Sequence, residues 1–177
     1  AWMSLDVEYT VRLAEALKPY RIKWLEDYLA PDDLEGYAKV RQRLPFQALA
    51  TGEHWYTPRP FAAAASRGLV DILQPDVLWA GGVTELMKIC ALASTYDVEV
   101  VPHAHTAATV QVLAAQPASL CPMLEFLMNH SVVHQHFFKE PVEPKNGVVT
   151  LTDAPGLGVE FDDDKVMERR VLTWPEY

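Results

Sequence analysis

The chain has 177 residues, of which 50% are hydrophobic and 22% charged, which is enough apolar material for one packed domain. Its formal net charge of −9 disfavours nucleic acids and anionic membranes as partners, because both are bound by clustered lysine and arginine. No apolar run approaches the roughly 20 residues that cross a bilayer, and the opening residues lack the basic region of a secretory signal.

Helical and strand patterns alternate along the first 129 residues. In the first helix Val7, Val11 and Leu17 fall on or near one face. The predicted helices are 6–17, 31–44, 58–67, 84–96 and 106–115, and the predicted strands are 22–26, 47–51, 70–74, 98–102 and 123–127. The strands are short and apolar throughout, as in a parallel sheet buried on both faces. The pattern therefore predicts an α/β fold built from βαβ units with right-handed crossovers.

The character of the chain changes after about Asn129. Residues 130–136 and 141–147 are loop-like, residues 147–152 predict one short strand, and the final residues are polar and charged. We therefore divide the chain into a repetitive body, 1–129, and an extension, 130–177, that packs back on the body or on another domain.

Each predicted strand ends on or just before an ionisable residue. These residues are Glu26, Glu53, Asp76, His103 and Glu125, and they recur at intervals of 22 to 27 residues. Such an interval is about one βα unit of a (β/α)-barrel, in which the active site lies at the carboxyl ends of the strands. Acidic residues in these places also cap helices, but Asp32 and Thr84 are the more natural caps here, so capping does not account for Asp76. The pattern therefore predicts a functional site.

The five side chains suit one kind of chemistry. Glu26 and Glu53 on adjacent strands offer the oxygen ligands that Mg²⁺ prefers. His103 is a candidate general acid or base, and Asp76 is placed to hydrogen-bond the other nitrogen of its ring. Glu125 is a candidate for holding a substrate group or assisting proton transfer.

The two cysteines, Cys90 and Cys121, both lie among apolar residues. In a chain of this length that pattern predicts buried free thiols rather than a disulfide framework. Free thiols are typical of a reducing compartment, so we expect a cytoplasmic protein.

Several motifs together resemble the enolase superfamily, mandelate racemase subgroup. They are Lys-Trp-Leu-Glu-Asp from Lys23, Thr-Gly-Glu-His from Thr51, Leu-Gln-Pro-Asp from Leu73, Gly-Gly-Val-Thr-Glu from Gly81, Val-Pro-His from Val101 and Leu-Glu-Phe-Leu-Met from Leu124. Trp-Met-Ser from Trp2 and Gly-Glu-His from Gly52 look most like the acid-sugar dehydratases that act on L-rhamnonate. The resemblance implies that residues 1–129 are about strands 4 to 8 of a (β/α)7β TIM-like barrel. It also implies that the extension packs on that barrel or on an N-terminal capping domain.

The resemblance implies a role for each matching position. Glu26 and Glu53 match metal ligands for Mg²⁺, His103 the base, Asp76 its partner and Glu125 the acid on the eighth strand. Three further residues are implied or expected substrate contacts, namely His54, Trp2 and His105. The implied reaction removes the α-proton of a sugar acid to give an enediolate, and loss of the β-hydroxyl then yields a 2-keto-3-deoxy acid. Family members commonly form homo-oligomers, so the same is implied here.

Two departures from the family leave alternatives open. The family's first metal ligand is an aspartate before the position of Ala1, so this stretch alone is expected to bind Mg²⁺ poorly and to be inactive. The loop from Ala104 differs from that of the L-rhamnonate enzymes, which leaves the sugar acid undetermined. The alternatives are a racemase or epimerase on the same scaffold, and a non-catalytic barrel that has lost the chemistry.

Overall fold

A computed structural model describes residues 1–171. The last part of the predicted extension, 172–177, lies outside the described residues. The helices are α1 (Val7–Leu17), α2 (Leu34–Arg43), α3 (Pro58–Ser66), α4 (Val77–Ala80), α5 (Val83–Thr95), α6 (Ala107–Ala114) and α7 (Met128–His134). The strands are β1 (Leu25–Glu26), β2 (Leu49–Thr51), β3 (Ile72–Leu73) and β4 (Glu99–Val100). Short 3₁₀ turns occupy Lys18–Tyr20 and Asp163–Lys165.

The four strands form one parallel sheet in the order β1-β2-β3-β4. The register pairs Leu25 with Leu49 and Leu73 with Val100, so neighbouring strands begin and end at nearly the same level. Helices connect successive strands, and α3 packs on α5 as α1 packs on α2. This sequential βα order confirms the predicted α/β fold with a parallel sheet.

Apolar side chains bury both faces of the sheet. The larger cluster lies between the sheet and the helices and includes Tyr37, Phe61 and Ile89, each almost completely buried. A smaller cluster of Ala50, Ile72 and Val101 lies apart from it, with Trp24 and Met123 packed against its members. Strands covered on both faces need apolar residues at every position, which explains the continuous apolar runs in the sequence.

Cys90 and Cys121 are both free and buried, as the sequence predicts. Among the described residues, none of the helices has the length and apolar character that crossing a membrane requires.

The helix caps differ from the sequence-based expectation. Asp33, rather than Asp32, caps α2 by accepting a hydrogen bond from the backbone N–H of Gly36, and Gly82 rather than Thr84 precedes α5. Asp76 is itself a cap, because its carboxylate accepts hydrogen bonds from the N–H groups of the unpredicted helix α4. The argument that capping does not account for Asp76 was therefore wrong.

Two further elements differ from the prediction. The segment 123–127 forms no strand among the described residues; Pro122 before it has no N–H to donate, and the N–H of Leu127 donates to the ring of His105. Residues 130–136, predicted to be loop-like, belong mostly to α7, which begins without a side-chain cap. Residues 147–152 contribute only an isolated bridge between Lys145 and Val148 rather than a strand.

Candidate functional site

The ionisable residues that follow the strands come together at one edge of the sheet. Glu26 ends β1, Glu53 follows β2 by two residues, and a parallel bridge joins Asp76 to His103 just beyond β3 and β4. Because the strands run parallel and in register, their carboxyl ends place these groups side by side. Residues that recur about once per βα unit in the sequence are therefore neighbours in the structure, and their side chains form a row.

His103 and Asp76 form a hydrogen-bonded pair. The Nδ1 atom of His103 lies 2.9 Å from Oδ2 of Asp76, as the sequence-based hypothesis expects. The other oxygen of Asp76 accepts hydrogen bonds from the N–H groups of Leu78 at 2.7 Å and Trp79 at 3.2 Å. The helix thus orients the carboxylate and the carboxylate orients the ring. The free nitrogen of that ring, Nε2, lies 3.3 Å from Oε2 of Glu53.

The neighbouring charges shift the pKa values of this pair in opposite directions. Burial acts to raise the pKa of Asp76, but hydrogen bonds from His103, Leu78 and Trp79 outweigh it and lower that pKa. Burial acts to lower the pKa of His103, but the hydrogen bond to Asp76 and the charges of Glu53 and Glu125 raise it to about 9. The imidazole is therefore strongly basic in the protein without a bound cation.

Glu26 is held by two donors that sequence reasoning missed. The indole N–H of Trp24 and the side-chain amide of Gln74 each donate to Oε2 of Glu26, both at 2.7 Å. Trp24 lies two residues before Glu26, and Gln74 lies two residues before Asp76. Side chains two apart on a strand point to the same face, so this period could have revealed both residues. With Oε2 engaged, the other oxygen of Glu26 is the one left for a ligand.

Glu53 is packed beside a second histidine and a second aspartate. The Nδ1 atom of His54 lies 3.2 Å from Oδ2 of Asp27 and 3.3 Å from Oε1 of Glu53. One ligand atom from each of these three residues can lie within 4.8 Å of the others, a spacing compatible with a metal ion. Burial raises the pKa of Glu53. Asp27, which sequence reasoning missed, also accepts a hydrogen bond from Thr51 at 2.6 Å.

Glu125 reaches the same edge from the segment between α6 and α7. Its Oε2 atom accepts a hydrogen bond from the backbone N–H of Ala104 at 3.0 Å. Burial raises the pKa of Glu125, although that hydrogen bond and the nearby His103 act in the opposite direction. The residue that follows His103 thus donates a hydrogen bond to Glu125, which holds the two predicted proton-transfer residues, His103 and Glu125, close to each other.

The three expected substrate contacts differ in their surroundings. The ring of His54 makes edge contacts with Trp79 and, at a centroid separation of 6.3 Å, with Trp2. Trp2 is 72% exposed. His105 is 3% exposed, stacks on Phe126 and accepts the N–H of Leu127 through Nδ1. Their roles toward a substrate stay predictions.

The donor chemistry of the site fits a hard divalent cation. Within residues 1–171, Glu26, Glu53 and Glu125 form no ion pair with lysine or arginine. Two histidines, His54 and His103, lie beside Glu53, but no lysine or arginine of the described residues pairs with these carboxylates, and a divalent ion would relieve their mutual repulsion. Such oxygen-rich groups are typical Mg²⁺ ligands.

Comparison with known proteins gives concordant results. The family described as "Enolase C-terminal domain-like" matches residues 1–165. An L-rhamnonate dehydratase from Saccharopolyspora erythraea is 42% identical over 176 residues, which cover 95% of this chain and 44% of that protein. The chain therefore spans less than half the length of this curated relative.

Solved structures show the same relationship. The rhamnonate dehydratase from Gibberella zeae, solved with Mg, superposes with a TM-score of 0.84 at 38% identity, covering 92% of this chain and 41% of that one. A racemase from Streptomyces coelicolor A3(2) with bound magnesium has a TM-score of 0.81 at 30% identity, covering 92% and 43%. With its parallel βα order and a family match over residues 1–165, this chain belongs to the enolase superfamily and matches the C-terminal domain of its members.

Proposed function

We propose that this chain supplies part of the active site of a Mg²⁺-dependent acid-sugar dehydratase. The substrate is an aldonate resembling L-rhamnonate, and the product is the corresponding 2-keto-3-deoxy acid. The observation that carries the proposal is the row of Glu26, Glu53, His103 and Glu125 along one sheet edge, with Asp76 bonded to His103. The similarity to an L-rhamnonate dehydratase at 42% identity supports the choice of substrate class.

Glu26 and Glu53 are the residues that would hold the cation. The oxygen of Glu26 not bonded to Trp24 and Gln74 would face it, and Glu53 would do so from the next strand. Once bound, Mg²⁺ would stabilise the negative charge that develops on the substrate carboxylate as the α-proton leaves.

His103 is the proposed proton carrier. Because Asp76 accepts at Nδ1, the ring presents Nε2 on the side of Glu53, and its neutral form, which a cation offsetting the charge of Glu53 would favour, can take the α-proton of the bound acid. The protonated ring, stabilised by Asp76, then donates that proton to the β-hydroxyl, which leaves as water. The resulting enol becomes the 2-keto-3-deoxy acid by proton transfer to carbon 3. Glu125 would hold a hydroxyl of the substrate near this ring.

The test uses the full-length protein that carries this chain. A library of acid sugars is incubated with Mg²⁺, and 2-keto-3-deoxy products are detected as semicarbazones. We expect product from at least one aldonate, and we expect His103→Asn to abolish both product and exchange of the α-proton with deuterated solvent. His130→Asn, on the exposed part of α7, is the matched control and should retain activity. Absence of product from every acid would refute the proposal. Exchange of the α-proton without loss of water would indicate a racemase or epimerase instead.

The assembly and location of the protein are further parts of the proposal. We infer that the extension from residue 130 packs on an N-terminal capping domain, that the whole protein forms a homo-oligomer, and that it acts in the cytoplasm. Apolar side chains that remain exposed on the extension, such as Val148 at 61% and Phe161 at 60%, support burial against another part of the protein. The buried free thiols support a reducing compartment.

A further inference from the structure

Glu53 lies between two histidines, and each histidine is bonded to its own aspartate. On one side Oε2 of Glu53 is 3.3 Å from Nε2 of His103, which is bonded to Asp76. On the other side Oε1 is 3.3 Å from Nδ1 of His54, which lies 3.2 Å from Asp27. The proposed function uses the first pair and leaves the second, Asp27 and His54, without a role.

The hydrogen-bond partners of His54 define which of its nitrogens carries the proton. Both neighbours of Nδ1 are carboxylate oxygens, which only accept hydrogen bonds when ionised. A lone pair at Nδ1 would face two negative charges, so the proton resides there; it is hydrogen-bonded to Asp27, and Oε1 of Glu53 lies 3.3 Å from the same nitrogen. His54 thus donates to Asp27 with its N–H edge beside Glu53, and a hard cation that prefers oxygen does not need its nitrogen.

A buried chain of hydrogen bonds fixes Asp27. The hydroxyl of Thr51 donates to Oδ1 of Asp27 at 2.6 Å, and the hydroxyl of Tyr37, which donates to the carbonyl of Leu29 at 3.1 Å, lies 3.2 Å from Thr51. Thr51 and Tyr37 are each 1% exposed and Asp27 is 4% exposed, so water does not compete for these bonds. The buried hydroxyl of Thr51 therefore fixes one oxygen of Asp27 from the side of the core.

The backbone of Asp27 is also held in an uncommon conformation. Its φ is +48°, in the left-handed region that aspartate tolerates better than most residues. Its N–H donates to the carbonyl of Ala50 at 3.1 Å, and its carbonyl accepts from the N–H of Met3. A strained residue that several contacts hold in place is often found at functional sites.

We propose that Asp27 and His54 are positioning residues that hold the Glu53 carboxylate in the orientation required for binding a divalent cation. The proposal rests on the proposed function, because Glu53 is a metal ligand only there. Asp27 fixes the ring of His54 with its proton on Nδ1, and the positive N–H edge of the ring, 3.3 Å from Oε1 of Glu53, attracts that oxygen. The other oxygen of Glu53, near His103, then stays free to face the cation and the substrate.

The test measures binding of Mn²⁺, used as the probe for the divalent cation, to the full-length protein. Electron paramagnetic resonance reports the free ion during titration and does not depend on turnover. Asp27→Asn should weaken binding about 10- to 100-fold, because the amide N–H₂ would oppose the Nδ1 proton of His54. His54→Phe keeps the ring and loses the donor, so the same loss is expected. His54→Asn retains a donor at the position of Nδ1 and should restore affinity to within about threefold of the original.

A carboxylate at the opposite end of the sheet provides the matched control. Asp71 accepts hydrogen bonds from Arg41 and from the backbone N–H of Leu49, just before β3 begins. Asp71→Asn should lower the thermal midpoint and leave Mn²⁺ affinity unchanged, which separates positioning from general loss of stability.

Three results would overturn the inference. The first is that Asp27→Asn and His54→Phe bind Mn²⁺ as tightly as the unmodified protein does. That result would refute the positioning role and leave the proposed function intact. The second is a directly bound histidine nitrogen in the electron spin echo spectrum of the Mn²⁺ complex that is absent from His54→Phe, because His54 would then be a ligand. The third is failure of the unmodified protein to bind Mn²⁺ at all, which would refute the proposed function together with this inference.

Discussion

Gly52 lies at the point where β2 turns toward Glu53, and replacing it by alanine should both destabilise the protein and disturb the site. Its φ of +140° is a backbone conformation that residues with a side chain rarely adopt. A Cβ placed there would lie 2.8 Å from Cε1 of Phe61 and 3.1 Å from the backbone nitrogen of Gln74. Phe61 is fully buried and Gln74 precedes Asp76 in the next strand connection, so neither neighbour moves easily.

The expected cost combines two effects. An unfavourable backbone conformation costs about 1–3 kcal/mol, and overpacking a well-filled core costs about 1–3 kcal/mol more. Gly52→Ala should therefore lower the free energy of unfolding by about 2–6 kcal/mol. Gly68→Ala is the matched control, because Gly68 also has positive φ, +60°, but a Cβ there would contact nothing within 4 Å.

Urea denaturation followed by circular dichroism measures both variants against the original protein. We expect the free energy of unfolding of Gly68→Ala to fall only by the cost of the backbone conformation, about 1–2 kcal/mol, and that of Gly52→Ala to fall by clearly more. Equal losses in the two variants would refute the reasoning that the contacts with Phe61 and Gln74 exclude a side chain at this turn.

Two further predictions concern the partners of the ionisable row. Because the pKa of His103 is raised to about 9 in the folded protein, its charge stabilises the cation-free fold fully below its ordinary value of 6.5, and that stability is lost as pH rises through 9. Asp76→Ala should flatten this pH dependence in urea titrations and cost about 0.5–2 kcal/mol through loss of the α4 cap, whereas an unchanged pH profile would contradict the assigned pairing. Gln74→Leu removes a donor to Glu26 at similar volume and should weaken Mn²⁺ binding about 10-fold in the same resonance titration; unchanged affinity would show that this hydrogen bond does not orient Glu26.

The sequence was sufficient to predict the parallel βα order and the row of strand-end residues. Both follow from local patterns, because short apolar runs alternate with helical periodicity and an ionisable residue recurs after each run. Helix α4 was not predicted because it contains only four residues. Helix α7 was not predicted because no capping side chain marks its first residue.

The residues that support the row were harder to predict, because their contacts join distant parts of the chain. Thr51 donates to Asp27 across 24 positions, and Gln74 donates to Glu26 across 48. Nothing local in the sequence specifies such a pairing until the register of the sheet is known. Only the two-residue spacing of Trp24 from Glu26 and of Gln74 from Asp76 hints at a shared face.

The two carboxylate oxygens of Asp76 have different partners, and this affects how related sequences are interpreted. One oxygen secures the start of α4 and the other holds His103, so the same side chain serves the fold and, in the proposed function, the chemistry. A descendant that abandoned the reaction would still need the aspartate to begin its helix, whereas nothing in the helix requires the histidine. If the proposed function holds, the residue at position 103 is therefore the more informative marker of retained catalysis in a survey of such sequences, and an aspartate at position 76 by itself indicates only an intact turn.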